Sequence, residues 1–447
     1  MAIGNGAVKS VTAIYLQSFD FILLKSTIRR CRISLPKTLK PSTPALAVVR
    51  ECRAFWFTAF SMDRRWIILV LLFVARIGLG FQFQTLGSVS SELVDELGLN
   101  YTEIGSLIGL FMVPGMFLAI PAGLAGRFVS DRFIVGLGLL TLGAGGGLAS
   151  IAESFEMLAG ARLICGAGFV FSTIFFTKIV ADLFAGKELA TAMSALVMSW
   201  PFGIAMGQIT HGWLAVNYDW QLAFVIASIY CVISALLVII ICREVTGAVK
   251  QTGGFRFTLN RNEIFLTVVA SLVWSLFNAG YVVYLSFAPG VLVAGGYEMV
   301  SALGVISLAS WLMIFSGIAC GLIADRSGQA DLVLYICIAA AIFALLILFI
   351  TPLAIPSSLM FGLLGMAPAG VIMALTTQAM KPENRAVGMG LFFTTYFLVQ
   401  APAPAIAGWL YDLTTDELWP ILFAIALFLF TAIANLAFRF AQKRWPI

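Results

Sequence analysis

The sequence predicts an all-α integral membrane protein with twelve transmembrane helices in two pseudo-symmetric six-helix bundles. Three observations predict it: an apolar composition, a division into spans of bilayer length, and an internal repeat. Of 447 residues, 61% are hydrophobic and 11% charged, with mean hydropathy +1.00, outside the balance of a water-soluble domain. A hydrocarbon core of about 30 Å needs roughly 20 apolar residues in helix, and polar punctuation cuts this chain into such lengths. KELATAMS (187–194) and PENRAVGMG (382–390) coincide at a shift of 196, and the same shift pairs GWL 212–214 with GWL 408–410. Two matches at one offset, at equivalent helix ends, indicate a duplicated six-helix unit.

The spans follow in order. Span one, 66–90, begins behind the basic anchor of DRRWIILV. A segment without Lys or Arg, 91–102, leads to span two, 103–125, and the connection holding Arg127 and Arg132 leads to span three, 133–151. The cation-free 152–156 precedes span four, 157–181, and Lys187 marks the way to span five, 189–213. Span six, 221–242, follows the cation-free 214–220. The polar stretch 243–263, with Gly253, Gly254 and four cations, reads as the linker between the bundles 62–242 and 264–447. The alternation then recurs. Spans seven (264–288) and eight (299–323) are joined by the cation-free 289–298, and Arg326 stands before span nine, 331–351. Span ten, 357–379, follows the cation-free 352–356, Lys381 and Arg385 precede span eleven, 386–410, and the cation-free 411–417 precedes span twelve, 418–438. Gly and Pro inside these runs suit close packing and bends in lipid.

Cations thus sit on one side, which predicts cytoplasmic termini in a bacterial inner membrane. Residues 1–65 carry eleven Lys or Arg against three acids, and the rest of the chain sixteen against nineteen. The extension 1–61 contains LPKTLKPSTP and no long apolar run. It is expected to be disordered or a mis-assigned start before Met62, the other reading being a transit peptide.

LLFVARIGLGFQFQTLG, residues 71–87, sets Arg76 inside an otherwise lipid-soluble helix. Ten residues past Trp66, it lies about 15 Å deep, and a charge there costs roughly 3 kcal/mol unless it faces the bundle or a wet cavity. Arg76, Gly80, Phe83, Gln84 and Gly87 share one face. Away from the span ends there is no Asp or Glu, while Arg76 and Arg162 are embedded and Lys178 lies near the cytoplasmic end of span four. An uncompensated positive cavity attracts anions. Arg76 is therefore expected to hold a small anion by a forked pair of hydrogen bonds, with Gln84 as a neighbouring donor. Trp274, Asn278 and Tyr281 on span seven, and Tyr396 and Gln400 on span eleven, share helix faces that would close over the uncharged part of a substrate. The bland alternatives are an Arg76 bonded to backbone carbonyls, an Arg162 packed on span one, and aromatics that only fill the bundle. His211, at the outer end of span five, is read as an interfacial-belt residue or a proton carrier.

Seven cysteines without CxxC spacing and a single histidine give no material for a zinc cluster or a His-based triad. No GxxxxGK[ST] loop is present, so direct ATP drive is not expected. The chain is read as no enzyme, with no cofactor and no nucleic-acid partner, and as monomeric.

Several motifs resemble the major facilitator superfamily over residues 62–447. GLIADRSG (321–328) matches its loop signature, and AGLAGRFVSDR (122–132) is the corresponding loop, with Gly126 where the family has Asp. LAGARLICGAGF (158–169) resembles the fourth-helix motif, and SWPFGIAMG (199–207) the fifth-helix exchanger motif, with Trp200 replacing a glycine. FQFQ after Arg76 looks most like the cyanate and nitroimidazole transporter branch. The resemblance implies a secondary transporter with two bundles rocking around a midplane site, a coupling or conformational role for Arg162, and a cytoplasmic gate at Arg127, Asp325 and Arg326. The expected function is alternating-access transport of a small anion. Export of neutral or cationic compounds, or a receptor without turnover, are the other readings.

Overall fold

The structure, a computed structural model, describes residues 64–125, 129–184, 188–242, 259–350, 353–381 and 384–445. Arg127 and most of the 243–263 stretch lie outside these residues. Among the described residues, twelve helices are long and apolar enough to cross a membrane: α1 Arg64–Ser88, α2 Tyr101–Ala119, α3 Asp131–Ala149, α4 Phe155–Leu183, α5 Ala192–Asn217, α6 Trp220–Ile241, α7 Arg261–Ala294, α8 Met299–Ser327, α9 Ala330–Ile347, α10 Ala354–Thr376, α11 Val387–Thr414 and α12 Leu418–Arg444. Among the described residues there is no strand. Each expected span has its helix.

One boundary moves for a local reason. α7 starts at Arg261, inside the stretch read as linker, because Asn260 and Glu263 form a capping box. The Asn260 side chain accepts from the Glu263 amide at 2.8 Å, and the Glu263 carboxylate accepts from the Asn260 amide at 3.0 Å. Two orphan amide donors at the helix start are thereby satisfied.

Proline marks the breaks within spans. Pro has no N–H and its ring crowds the carbonyl four residues back. α2 is interrupted between Leu110 and Val113, just before Pro114. α5 is interrupted at Met198, three residues before Pro201. α11 is interrupted at Ala401, before Pro402. In α10, a π turn at Phe361–Gly365 precedes Pro368.

Small residues set where helices cross. A Cβ on Gly80 of α1 would fall on the Trp200 carbonyl oxygen of α5, and one on Gly203 would fall on the Ile77 carbonyl. The α2–α11 crossing is equally close: a Cβ on Gly105 meets the Pro404 carbonyl, and one on Gly408 meets the Tyr101 carbonyl. Glycine alone permits backbones this near each other.

Candidate functional site

The α5 break creates the environment of Arg76. Pro201 has no N–H to donate to the Val197 carbonyl, and at the interruption the Leu196 carbonyl takes the Met198 N–H. Buried carbonyls without donors are costly in lipid. Arg76 supplies them: Nη1 donates to Leu196 O at 2.9 Å, Val197 O at 3.4 Å and Ser199 Oγ at 2.9 Å. Ser199 Oγ donates in turn to Leu196 O at 2.7 Å. Arg76 is only 8% exposed, so the guanidinium braces α5 rather than lying open along a polar stripe.

The last six helices repeat this contact with a smaller group. Phe392 is the counterpart of Leu196 at the shift of 196, and Ser271 is the counterpart of Ala75, next to Arg76. Ser271 Oγ donates to Phe392 O at 2.6 Å. A serine hydroxyl suffices for the brace. On Arg76 all three bonds run from Nη1, and buried Nε has no partner. Nε and Nη2 share the edge with which a guanidinium grips a carboxylate through two parallel bonds.

Arg162 is used up differently. Fully buried, it donates from Nε to Leu107 O at 3.2 Å, from Nη1 to Gln82 O at 3.3 Å and from Nη2 to Phe83 O at 3.2 Å. Its guanidinium lies 4.7 Å from the Phe111 ring centroid. It ties α4 to α1 and α2. Among the described residues neither embedded arginine has a carboxylate partner. Lys178 does, with Nζ 2.7 Å from both Asp131 oxygens.

The other expected site residues have differing surroundings. Gln84 donates to Ser88 Oγ at 3.3 Å along its own helix, and none of its bonds reaches Arg76. Asn278 donates to the Trp274 carbonyl at 2.8 Å, and buried Tyr281 shares a 2.5 Å hydrogen bond with Ser310 of α8. Tyr281 therefore braces two helices. Trp274 and Tyr396 are brought together, both half-buried, with ring centroids 6.4 Å apart. Gln400 is buried and its Oε1 has no partner. His211 is not in an exposed interfacial belt: it is fully buried, its ring centroid 4.2 Å from that of Phe81, and neither nitrogen has a partner. Asp325 and Arg326 are exposed at the end of α8 and form no ion pair with the described residues, while Arg127 lies outside them.

Sequence reasoning missed a second contact region. At the end of the bundle whose connections lack Lys and Arg, Asp412 of α11 caps α2. Oδ1 accepts from the Tyr101 amide at 2.9 Å, and Oδ2 from the Thr102 amide at 2.6 Å and Thr102 Oγ1 at 2.5 Å. The Tyr101 and Tyr411 ring centroids lie 4.2 Å apart beside it. Gln208 of α5 donates to Leu285 O of α7 at 3.2 Å. These bonds join the first six helices to the last six. A cleft lined by Ser88, Ser286, Tyr101, Tyr411 and Glu417 opens at this seam, and none of the expected substrate residues lines it. The one sequence signal was NYTE at 100–103, a capping box that structure realises with Asn100 and Glu103; its distant partner Asp412 leaves no local trace.

The chain is 23% identical over 375 residues to a cis,cis-muconate transport protein of Acinetobacter baylyi, covering 77% of this chain and 87% of that one. It is 26% identical over 383 residues to an MFS-type efflux pump of Mycolicibacterium smegmatis, covering 78% of this chain and 86% of the other. Among solved structures, a bacterial homolog of the human lysosomal transporter Spinster superposes with TM-score 0.69 at 16% identity, over 86% of this chain and 98% of that one. That likeness concerns the fold. Matched from residue 68 to residue 404 by the model of the Major Facilitator Superfamily, the chain belongs to that family, whose members here are transporters and not enzymes.

Proposed function

We propose that the chain is a secondary active transporter carrying a small anion, whose carboxylate is taken by the Nε and Nη2 edge of Arg76. One observation carries this reading: Arg76 uses a single nitrogen for a brace that a serine performs in the other half. A buried donor left without a partner costs about 1–3 kcal/mol, and an anion that satisfies it recovers that cost. The muconate relative carries a dicarboxylate, which agrees. The FQFQ stretch resembles the cyanate and nitroimidazole branch, and cyanate is likewise a small anion.

Transport proceeds by rocking of 62–242 against 264–447. The Lys/Arg-free end faces outward, so the Asp412 seam is the external gate, with Asp325, Arg326 and Arg127 at the cytoplasmic one. Arg162 holds α1, α2 and α4 as one body during the motion. His211, buried without partners, is the group available for coupling. Gln84, Trp274, Asn278, Tyr281, Tyr396 and Gln400 are the remaining lining.

Uptake of muconate and benzoate into proteoliposomes tests the reading. Arg76→Lys keeps a donor for Leu196 O but has no fork, and should weaken anion binding by about 2 kcal/mol, roughly thirtyfold. The efflux-pump relative favours a second reading, export of neutral or cationic compounds. It prevails if neither anion accumulates and a neutral or cationic compound is expelled with Arg76→Lys unchanged in that activity. Binding without accumulation would instead identify a receptor.

A further inference from the structure

The fifth-helix motif departs from its family pattern at Trp200, and neither the brace nor the gate uses that side chain. Trp200 is half-buried and directly follows Ser199, the hydroxyl that Arg76 Nη1 contacts at 2.9 Å. Its ring is set by Phe83 of α1 and Phe169 of α4, with centroids at 5.3 and 5.2 Å. Phe111 of α2 packs behind both, 5.3 Å from Phe83 and 5.2 Å from Phe169. Three rings from three helices thus fix the indole while part of it stays uncovered.

The repeat supplies its partner. At the shift of 196, Trp200 corresponds to Tyr396 of α11, and Ser199 to Thr395. Tyr396 is also half-buried, held by Phe397 at 4.9 Å, Phe393 at 6.3 Å and Trp274 at 6.4 Å between centroids. Each half therefore carries one uncovered aromatic ring at the equivalent position, one residue past the braced turn. The repeat thus relates the two rings, one in each bundle, by the axis that passes between the bundles.

We infer that Trp200 and Tyr396 are a specificity-determining pair that takes the flat, conjugated body of the substrate between them, which makes the substrate class aromatic or diene carboxylates. This rests on the Arg76 reading and goes beyond it by choosing among anions. Stacked rings prefer offset or edge contacts with another π system and gain energy beyond simple burial. A saturated acid of equal length and charge offers the guanidinium the same carboxylate but offers the rings only apolar surface. A sugar acid would bring hydroxyls that aromatic walls leave without partners.

Matched anion pairs test it on the purified full-length protein by calorimetry: cis,cis-muconate against adipate, and benzoate against cyclohexanecarboxylate. The wild type should bind the conjugated member about tenfold tighter. Trp200→Leu and Tyr396→Leu should each bring that ratio towards one by weakening only the conjugated member. Trp200→Phe should keep it, and Arg76→Lys should weaken both members equally. A melting curve for each variant confirms the fold, and retained adipate binding serves as an internal control. Equal affinity for both members in the wild type, or an unchanged ratio in both leucine variants, overturns the aromatic pair while leaving the Arg76 reading intact. Loss of binding that ignores Arg76, or no binding of any of the four anions, overturns both.

Discussion

Arg76 and Arg162 look alike in the sequence, each a lone guanidinium in an apolar helix, yet their hydrogen bonds assign them different work. Arg162 directs all three nitrogens at carbonyls of α1 and α2, whereas Arg76 directs one. Arg162→Lys replaces a planar three-way donor by a point charge that cannot serve Leu107, Gln82 and Phe83 together. The expected result is a loss of about 2–3 kcal/mol in stability, read as a lower melting temperature in detergent, with anion affinity changed less than about twofold. Arg76→Lys should give the converse pattern. Embedded charge was legible from composition and depth alone. The division of roles was not, because it depends on which carbonyls Pro201 leaves without donors, and that follows from how α5 breaks against α1.

Between elements, the α2–α11 seam combines a steric condition with an electrostatic one. Gly105 and Gly408 allow backbone contact, and Asp412 brings a carboxylate to the positive amide end of α2. Asp412→Asn removes the charge and one acceptor, and should shift the gate towards open by about 1.5 kcal/mol, roughly tenfold. Gly105→Val should open it further, since its side chain would occupy the Pro404 carbonyl position. Both are read by labelling Ser286→Cys, in the cleft at the seam, with a membrane-impermeant maleimide in a background lacking the native cysteines. Unchanged labelling in both variants would remove the seam from the gating cycle. At the opposite end, each half ties its first helix to a later connection, and one partner of each tie stands at a counterpart position. Arg65 of α1 pairs with Glu188 at 2.8 Å. In the second half, Glu263 of α7 accepts from Asn384 Nδ2 at 3.0 Å and from the Lys381 amide at 3.0 Å. Asn384 is the shift-196 counterpart of Glu188. The acid has changed sides, so the repeat conserves the tie while the sequence at either position hides it. Helix number and spans were legible because each is a local run of apolar residues. The ties and the seam join residues at least 77 positions apart, and neither periodicity nor composition reports such pairs.

Across the whole molecule, the seam has a direction only if the protein has an orientation. Every connection at the Asp412 end, including the turn after α5 and the one before α12, lacks Lys and Arg, while the other end carries Arg65, Lys178, Arg326, Lys381, Arg439 and Lys443. Retention of cations on the cytoplasmic side during insertion would put the closed seam outside, the orientation proposed above. Two exposed positions at opposite ends test this. Tyr218, 61% exposed, stands in the turn between α5 and α6, and Gln329, also exposed, stands between α8 and α9. In intact cells an impermeant maleimide should label Tyr218→Cys fully and Gln329→Cys only after permeabilisation. The reverse pattern would make Asp412 part of a cytoplasmic gate. Arg76 would keep its place and its unused edge in that case, because its contacts lie within the first six helices and depend on neither end. The order of events would invert: the closed state described here would be poised to receive its anion from outside the cell rather than from within it.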